Sequence, residues 1–143
     1  MASPTLPKKI AARQHEITAD FLRILDRHLA DLLAGRVLDM YEIRDVADEM
    51  NIHPTHLSNT IRLTTGYAPC YFFEHKIMDI ARNLLTTTRQ PIAEIARTLT
   101  YDPSNFTKFF KHFQGSTPKQ YREDVWAQQR EADEHEKTEL LTV

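Results

Sequence analysis

Little in this chain can build a disulfide, a phosphate loop or a membrane span. Its 143 residues hold one cysteine, Cys70, which excludes an internal disulfide and any multi-cysteine metal site. Three glycines (Gly35, Gly66 and Gly115) are too few for a Gly-rich phosphate loop or a turn-dense β fold. No apolar run approaches the roughly 18 residues of a spanning helix. The N-terminal Met-Ala-Ser-Pro-Thr-Leu-Pro-Lys-Lys lacks the apolar core of a secretion signal. No paired carboxylates, nucleophile–base constellation or cofactor motif is visible, so the sequence predicts no catalysis, no cofactor and no resident metal. A cytoplasmic, all-α protein is what these absences leave.

Charge is present but unevenly spread. The net charge of −2 averages three unlike parts. Residues 1–52 carry −2, residues 53–122 carry +5 from nine Lys/Arg against four Asp/Glu, and residues 123–143 carry −5. The middle is basic and the tail acidic, an asymmetry that the whole-chain value hides.

Hydrophobic periodicity gives a string of helices. Residues 1–11 lack an apolar pattern and are expected to be disordered. From Ala12 to Leu33 apolar residues recur at helical spacing, and Gly35 stops the run. Tyr41–Met50 is a short second helix, and Pro54 opens a third to about Thr64, ended by Gly66. Pro69 opens a long helix over 69–87; Ile92–Leu99 is short; Pro103, capped by Asp102, opens the next. Thr117-Pro118 repeats that signal before an acidic helical tail over 123–143.

The most informative feature is a repeat. Shifted by 49 residues, one half lies on the other without a gap. Ala47 meets Ala96, Leu57 meets Phe106, Ile61 meets Phe110 and Arg62 meets Lys111, while Pro54/Pro103, Gly66/Gly115 and Pro69/Pro118 stay in register. Each copy reads short helix, turn, second helix. A small residue sits where the helices cross, and a large apolar one ten later anchors the second helix. The opposite face of that helix is polar: Thr55, His56, Ser58, Asn59 and Arg62, then Ser104, Asn105, Lys108 and Lys111. Hydroxyl, amide and cationic groups suit base edges and phosphates in a major groove, and no carboxylate stands among them. Six phenylalanines (Phe72, Phe73, Phe106, Phe109, Phe110, Phe113) are core by spacing rather than a stacking platform for single strands. His53 and His56 have no carboxylate or cysteine beside them to complete a metal site.

The chain resembles the DNA-binding region of AraC/XylS-type transcription regulators. The resemblance rests on Asp45-Val-Ala-Asp-Glu-Met-Asn-Ile-His-Pro-Thr-His-Leu, Leu63-Thr-Thr-Gly-Tyr-Ala-Pro, Pro91-Ile-Ala-Glu-Ile-Ala and Phe109-Phe-Lys-His-Phe-Gln-Gly-Ser-Thr-Pro-Lys-Gln-Tyr-Arg. It covers about residues 15–122 and implies two helix-turn-helix subdomains joined by the long helix, over 12–88 and 89–122. It also implies sequence-specific binding of double-stranded DNA, with RNA polymerase as a second partner. Family members commonly carry an effector-sensing or dimerising domain, so the chain reads as a stand-alone regulator or as an excised fragment of one. Base contacts implied by position are Thr55, Ser58, Asn59 and Arg62, then Ser104, Asn105 and Lys108. Phosphate contacts are assigned to Arg62, Lys111, Lys119, Arg122 and the helix N-termini. The competing reading is a protein-interaction adaptor that keeps the fold without binding DNA. Where the family has glycine in the first turn this chain has Asn51, which tolerates left-handed backbone. The family's Gly-Phe-x-Asp stands here as Thr100-Tyr101-Asp102, without the glycine and one residue shorter. The second turn is therefore expected to follow another path, with Thr100→Gly destabilising.

Overall fold

A proline at the first helical position, with a polar residue just before it, starts the second helix of each copy of the repeat. In a computed structural model describing residues 8–141, the order is α1 (Lys8–Leu33), α2 (Ile43–Met50), α3 (Pro54–Thr65), α4 (Pro69–Thr87), α5 (Ile92–Thr98), α6 (Pro103–Gln114) and α7 (Pro118–Leu141). No strand occurs among the described residues. Residues 1–7 of the expected disordered N-terminus lie outside them. Residues 8–11, expected to belong to that tail, are helical instead. Lys8-Lys-Ile-Ala-Ala-Arg13 is a run of mostly good helix formers, and it extends α1 backwards without needing an apolar stripe.

The chain divides into two compact units, one ending at Ile77 and one starting at Met78. The C-terminal half of α4 thus packs with the second unit, although the sequence groups it with the first. In the first unit the core is Ile17, Phe21, Ile24, Leu25 and Leu29 of α1, Val46 and Ala47 of α2, and Leu57 and Ile61 of α3. Phe21 lies fully buried, with the rings of Phe72 and Phe73 at 6.1 and 6.0 Å. In the second unit Ala81, Leu85, Ile95, Ala96, Leu99, Phe106 and Phe110 are fully buried. Burial of such side chains stabilises by roughly 1.5–3 kcal/mol each.

α2 begins at Ile43 rather than Tyr41. The Tyr41 N–H donates to His28 Nε2 at 2.9 Å and its ring stacks on His28 at 3.9 Å, so this residue is held against α1 outside the helix. Beside it, the Glu49 carboxylate accepts from Arg27 at 2.5 Å and from the Tyr41 hydroxyl at 2.6 Å. Both bonds hold Glu49 below the usual carboxylate range, the arginine more than the tyrosine.

The two turns of the repeat are the same turn. The Ile52 N–H donates to the Ala47 carbonyl at 3.1 Å, and the Tyr101 N–H donates to the Ala96 carbonyl at 2.8 Å. Among the described residues, Asn51 and Thr100 are the non-glycine residues with positive φ, at 56° and 66°. The expectation that the second turn follows another path is therefore overturned: Thr100 keeps the left-handed step. Three residues separate Ala47 from Asn51 and Ala96 from Thr100 alike, and closing the same hydrogen bond from the residue that follows demands the same left-handed step.

Candidate nucleic-acid interface

α3 and α6 each hold 12 residues and are bounded alike. At the start, His53 Nδ1 accepts from the Thr55 N–H at 3.1 Å, and the Asp102 carboxylate accepts from the Ser104 N–H at 3.1 Å. Both side chains satisfy a backbone donor that the first turn would otherwise leave unpaired. At the end, Gly66 and Gly115 take left-handed φ of 81° and 87°, and their N–H groups donate to Arg62 and Lys111 carbonyls at 2.9 and 2.8 Å. Caps fix where each helix begins and ends, and so which side chains share a face.

One face of α3 is closed by Leu57, Thr60 and Ile61, all buried; the other exposes Thr55, His56, Asn59 and Arg62, with Ser58 half-buried. α6 repeats this with Phe106 and Phe110 inward and Ser104, Asn105, Lys108 and Lys111 exposed. Neither helix contains an Asp or Glu. Lys119, in the first turn of α7, is exposed as well.

The cations of these faces are free of ion pairs, as are Arg89, Arg97, Arg130 and Lys137 elsewhere among the described residues. Arg13, Arg23, Arg27, Arg36, Arg44, Lys76 and Arg82 each have a carboxylate within 4 Å. Among the described residues, Arg62, Lys108, Lys111 and Lys119 have no such partner. A phosphate meeting them has no internal ion pair to displace, and released counterions then favour binding.

Arg122, assigned to phosphate by its charge, is in another place. It is 9% exposed, its Nε donates to the Leu85 carbonyl at 2.8 Å, and a terminal nitrogen donates to the Thr88 carbonyl at 3.4 Å. Its guanidinium stands 5.1 Å from the centre of the Trp126 ring, whose Nε1 donates to the Thr86 carbonyl at 3.1 Å. The arginine and tryptophan of α7 together satisfy carbonyls at and just beyond the C-terminus of α4. Burial is the reason: a group whose N–H donors face inward and whose charge is covered has little left to give a phosphate.

Two features of the site escape a reading by residue type. His53, paired with His56 only as a metal candidate, is the cap of α3; its place immediately before Pro54 was the available signal. Ser104 donates its hydroxyl hydrogen to Asp102 as well as its N–H, which spacing alone does not reveal.

A model of a helix-turn-helix domain matches residues 46–124. The arabinose operon regulatory protein of Salmonella typhimurium is 30% identical over 104 residues, covering 72% of this chain and 34% of that protein. The chain spans about a third of the length of the curated relatives it matches. Among solved structures, the C-terminal domain of AraT, a response regulator from Geobacillus stearothermophilus, is 28% identical with a TM-score of 0.66, over 76% of this chain and 84% of that one. The DNA-binding domain of AdpA, solved in complex with a target DNA, shares the fold at 23% identity and a TM-score of 0.59, over 71% and 95% of the two chains.

Proposed function

The chain belongs to the AraC-type helix-turn-helix family, and from that premise we propose that it regulates transcription by binding double-stranded DNA through α3 and α6. Thr55, His56, Ser58, Asn59 and Arg62 form the reading face of the first motif. Ser104, Asn105, Lys108 and Lys111 form that of the second, with Lys119 on phosphate. Arg122 is left out of the interface because its guanidinium holds α4. The observation that carries the reading is the repeated face itself, with exposed hydroxyl, amide and unpaired cationic groups, no carboxylate within either helix, and rigid caps at both ends. That face also weighs against the adaptor reading, since unpaired cations repel one another unless an anionic partner covers them.

No catalytic step is assigned; the protein acts by occupying DNA. No helix among the described residues is long and apolar enough to cross a membrane. We place the protein in the cytoplasm on the nucleoid, where RNA polymerase and an effector or dimerisation domain are the further partners this reading implies.

The test is fluorescence anisotropy with a random-sequence duplex across a salt series. With Arg62, Lys111 and Lys119 on phosphates, log affinity falls against log salt with a slope of about −3. An adaptor without DNA binding gives no salt-dependent association.

A further inference from the structure

The two reading helices differ at their tips. Thr55 and Ser104 occupy the same place in the repeat, 49 residues apart, and each gives its N–H to the residue two before it. In α3 that residue is His53, and the Thr55 hydroxyl has no hydrogen-bond partner among the described residues, so it can serve as donor or acceptor. In α6 that residue is Asp102, and its Oδ2 accepts from both the N–H and the hydroxyl of Ser104. The direction of the second bond is fixed, because an ionised carboxylate has no proton to give. The Ser104 hydroxyl holds Asp102 below the usual carboxylate range, with the N–H groups of Asn105 and Ser104 adding to it, so Asp102 is ionised wherever DNA binds.

A serine hydroxyl has one hydrogen. With that hydrogen committed to Asp102, the exposed Ser104 oxygen offers only lone pairs, as does the exposed carboxylate beside it. In the major groove the donors are the N6 amino group of adenine and the N4 amino group of cytosine; guanine presents O6 and N7, and thymine presents O4 and a methyl. An acceptor facing an acceptor repels. We infer that Asp102 and Ser104 form an acceptor-only tip on the second recognition helix, which selects adenine or cytosine and rejects guanine and thymine at the base beneath it. This rests on the DNA-binding reading above and goes beyond it by assigning a base class to one position and a specificity role to Asp102, a residue outside the reading face. Asp102 acts on the choice by orienting the hydroxyl of Ser104. The first motif, capped by His53, imposes no such rule through Thr55.

The experiment is selection from a randomised duplex pool by the full 143-residue chain, comparing the unmodified protein with Ser104→Ala and Asp102→His. The histidine gives the second helix the cap of the first. Circular dichroism melts verify that both variants fold, and Ser104→Ala retains the backbone N–H that Asp102 caps. The unmodified protein should enrich adenine or cytosine over guanine or thymine at one position, on the order of fivefold to tenfold. Ser104→Ala should flatten that position alone, and Asp102→His should admit guanine or thymine there by restoring a donor. Replacing the selected adenine by purine, or the cytosine by pyrimidin-2-one, removes the amino group and should weaken the unmodified protein while leaving Ser104→Ala unchanged. Identical base preferences in all three proteins, or guanine or thymine preferred at the position that Ser104→Ala alters, would overturn the inference while leaving DNA binding intact. A chain that binds duplex DNA but enriches no base at any position overturns this inference alone, and one that retains no duplex from the pool overturns the DNA-binding reading and this inference with it.

Discussion

Asn51 and Thr100, 49 residues apart in sequence, hold the same left-handed backbone, with φ of 56° and 66°. Asparagine tolerates that region because its short amide bonds locally; threonine, branched at Cβ, crowds its own backbone there. One motif thus turns at little cost, and the other turns identically with strain.

Thr100→Gly should therefore stabilise the second unit. Relief of about 1–2 kcal/mol of left-handed strain outweighs the added flexibility that glycine brings to the unfolded chain, leaving a net gain of about 1 kcal/mol. Asn51→Gly, with less strain to relieve, should change stability by a few tenths of a kcal/mol at most. Urea unfolding midpoints for the two variants check the contrast; a lower midpoint for Thr100→Gly contradicts it.

The pairing of His28 with Tyr41 makes the first unit sensitive to acid. His28 is 2% exposed and accepts the Tyr41 N–H at Nε2, so the folded state needs it neutral. Burial pulls its pKa below the ordinary 6.5, and the charge of Arg27 lowers it further, against opposing pulls from Asp31, Asp45 and Glu49. The unfolded chain binds the proton more readily. The contribution is thus complete above about pH 6.5 and is lost as pH falls below it towards the depressed folded value. Thermal melts from pH 8 to pH 5 should show a falling midpoint that is flatter in His28→Gln, whose amide oxygen still accepts from Tyr41.

Arg122 and Lys111 should separate stability from DNA affinity. Lys111→Ala should leave the melting temperature near its original value and reduce the salt slope of binding by about one unit. Arg122→Met should do the reverse, since it strips two carbonyls of a buried donor. A loss of about 2–3 kcal/mol in unfolding free energy is expected, with the slope kept in whatever fraction stays folded. Equal slopes for Lys111→Ala and the unmodified chain would remove Lys111 from the phosphate contacts.

The acidic end of α7 should act against non-specific DNA. From Gln128 to Leu141 every residue is exposed, and beyond Arg130 the five carboxylates Glu131, Asp133, Glu134, Glu136 and Glu139 are set against Lys137 and against His135, which lies 3.1 Å from Glu139. Truncation after Arg130 keeps Arg122 and Trp126 against α4 and removes that charge. It should tighten random-duplex binding severalfold at low salt and have little effect near 1 M, where the screening length falls to about 3 Å. Unchanged affinity at both salts would take the tail out of the mechanism.

How much of this was legible depends on what each residue reports. Pro54, Pro103 and Pro118 announce helix starts because a residue without an N–H fits only where none is needed, and Gly66 and Gly115 announce ends through their φ. The faces of α3 and α6 follow from those boundaries and from the burial of Leu57, Ile61, Phe106 and Phe110. Thr100 misled because residue type describes local preference, while the Tyr101-to-Ala96 bond and the packing around it decide the turn. Arg122 misled for a different reason: a positive charge in a basic region reads as surface, and only the fold shows its guanidinium turned onto the carbonyls of Leu85 and Thr88.

The central claim is that both α3 and α6 read DNA. Hydroxyl-radical and base-methylation footprints on a selected duplex test it most directly, using the unmodified chain, Asn59→Ala and Asn105→Ala. The account predicts two separate protected stretches, with protection of one weakened by Asn59→Ala and of the other by Asn105→Ala, each at a cost of about 1–3 kcal/mol. A single protected stretch, or two that respond alike to both substitutions, would contradict it.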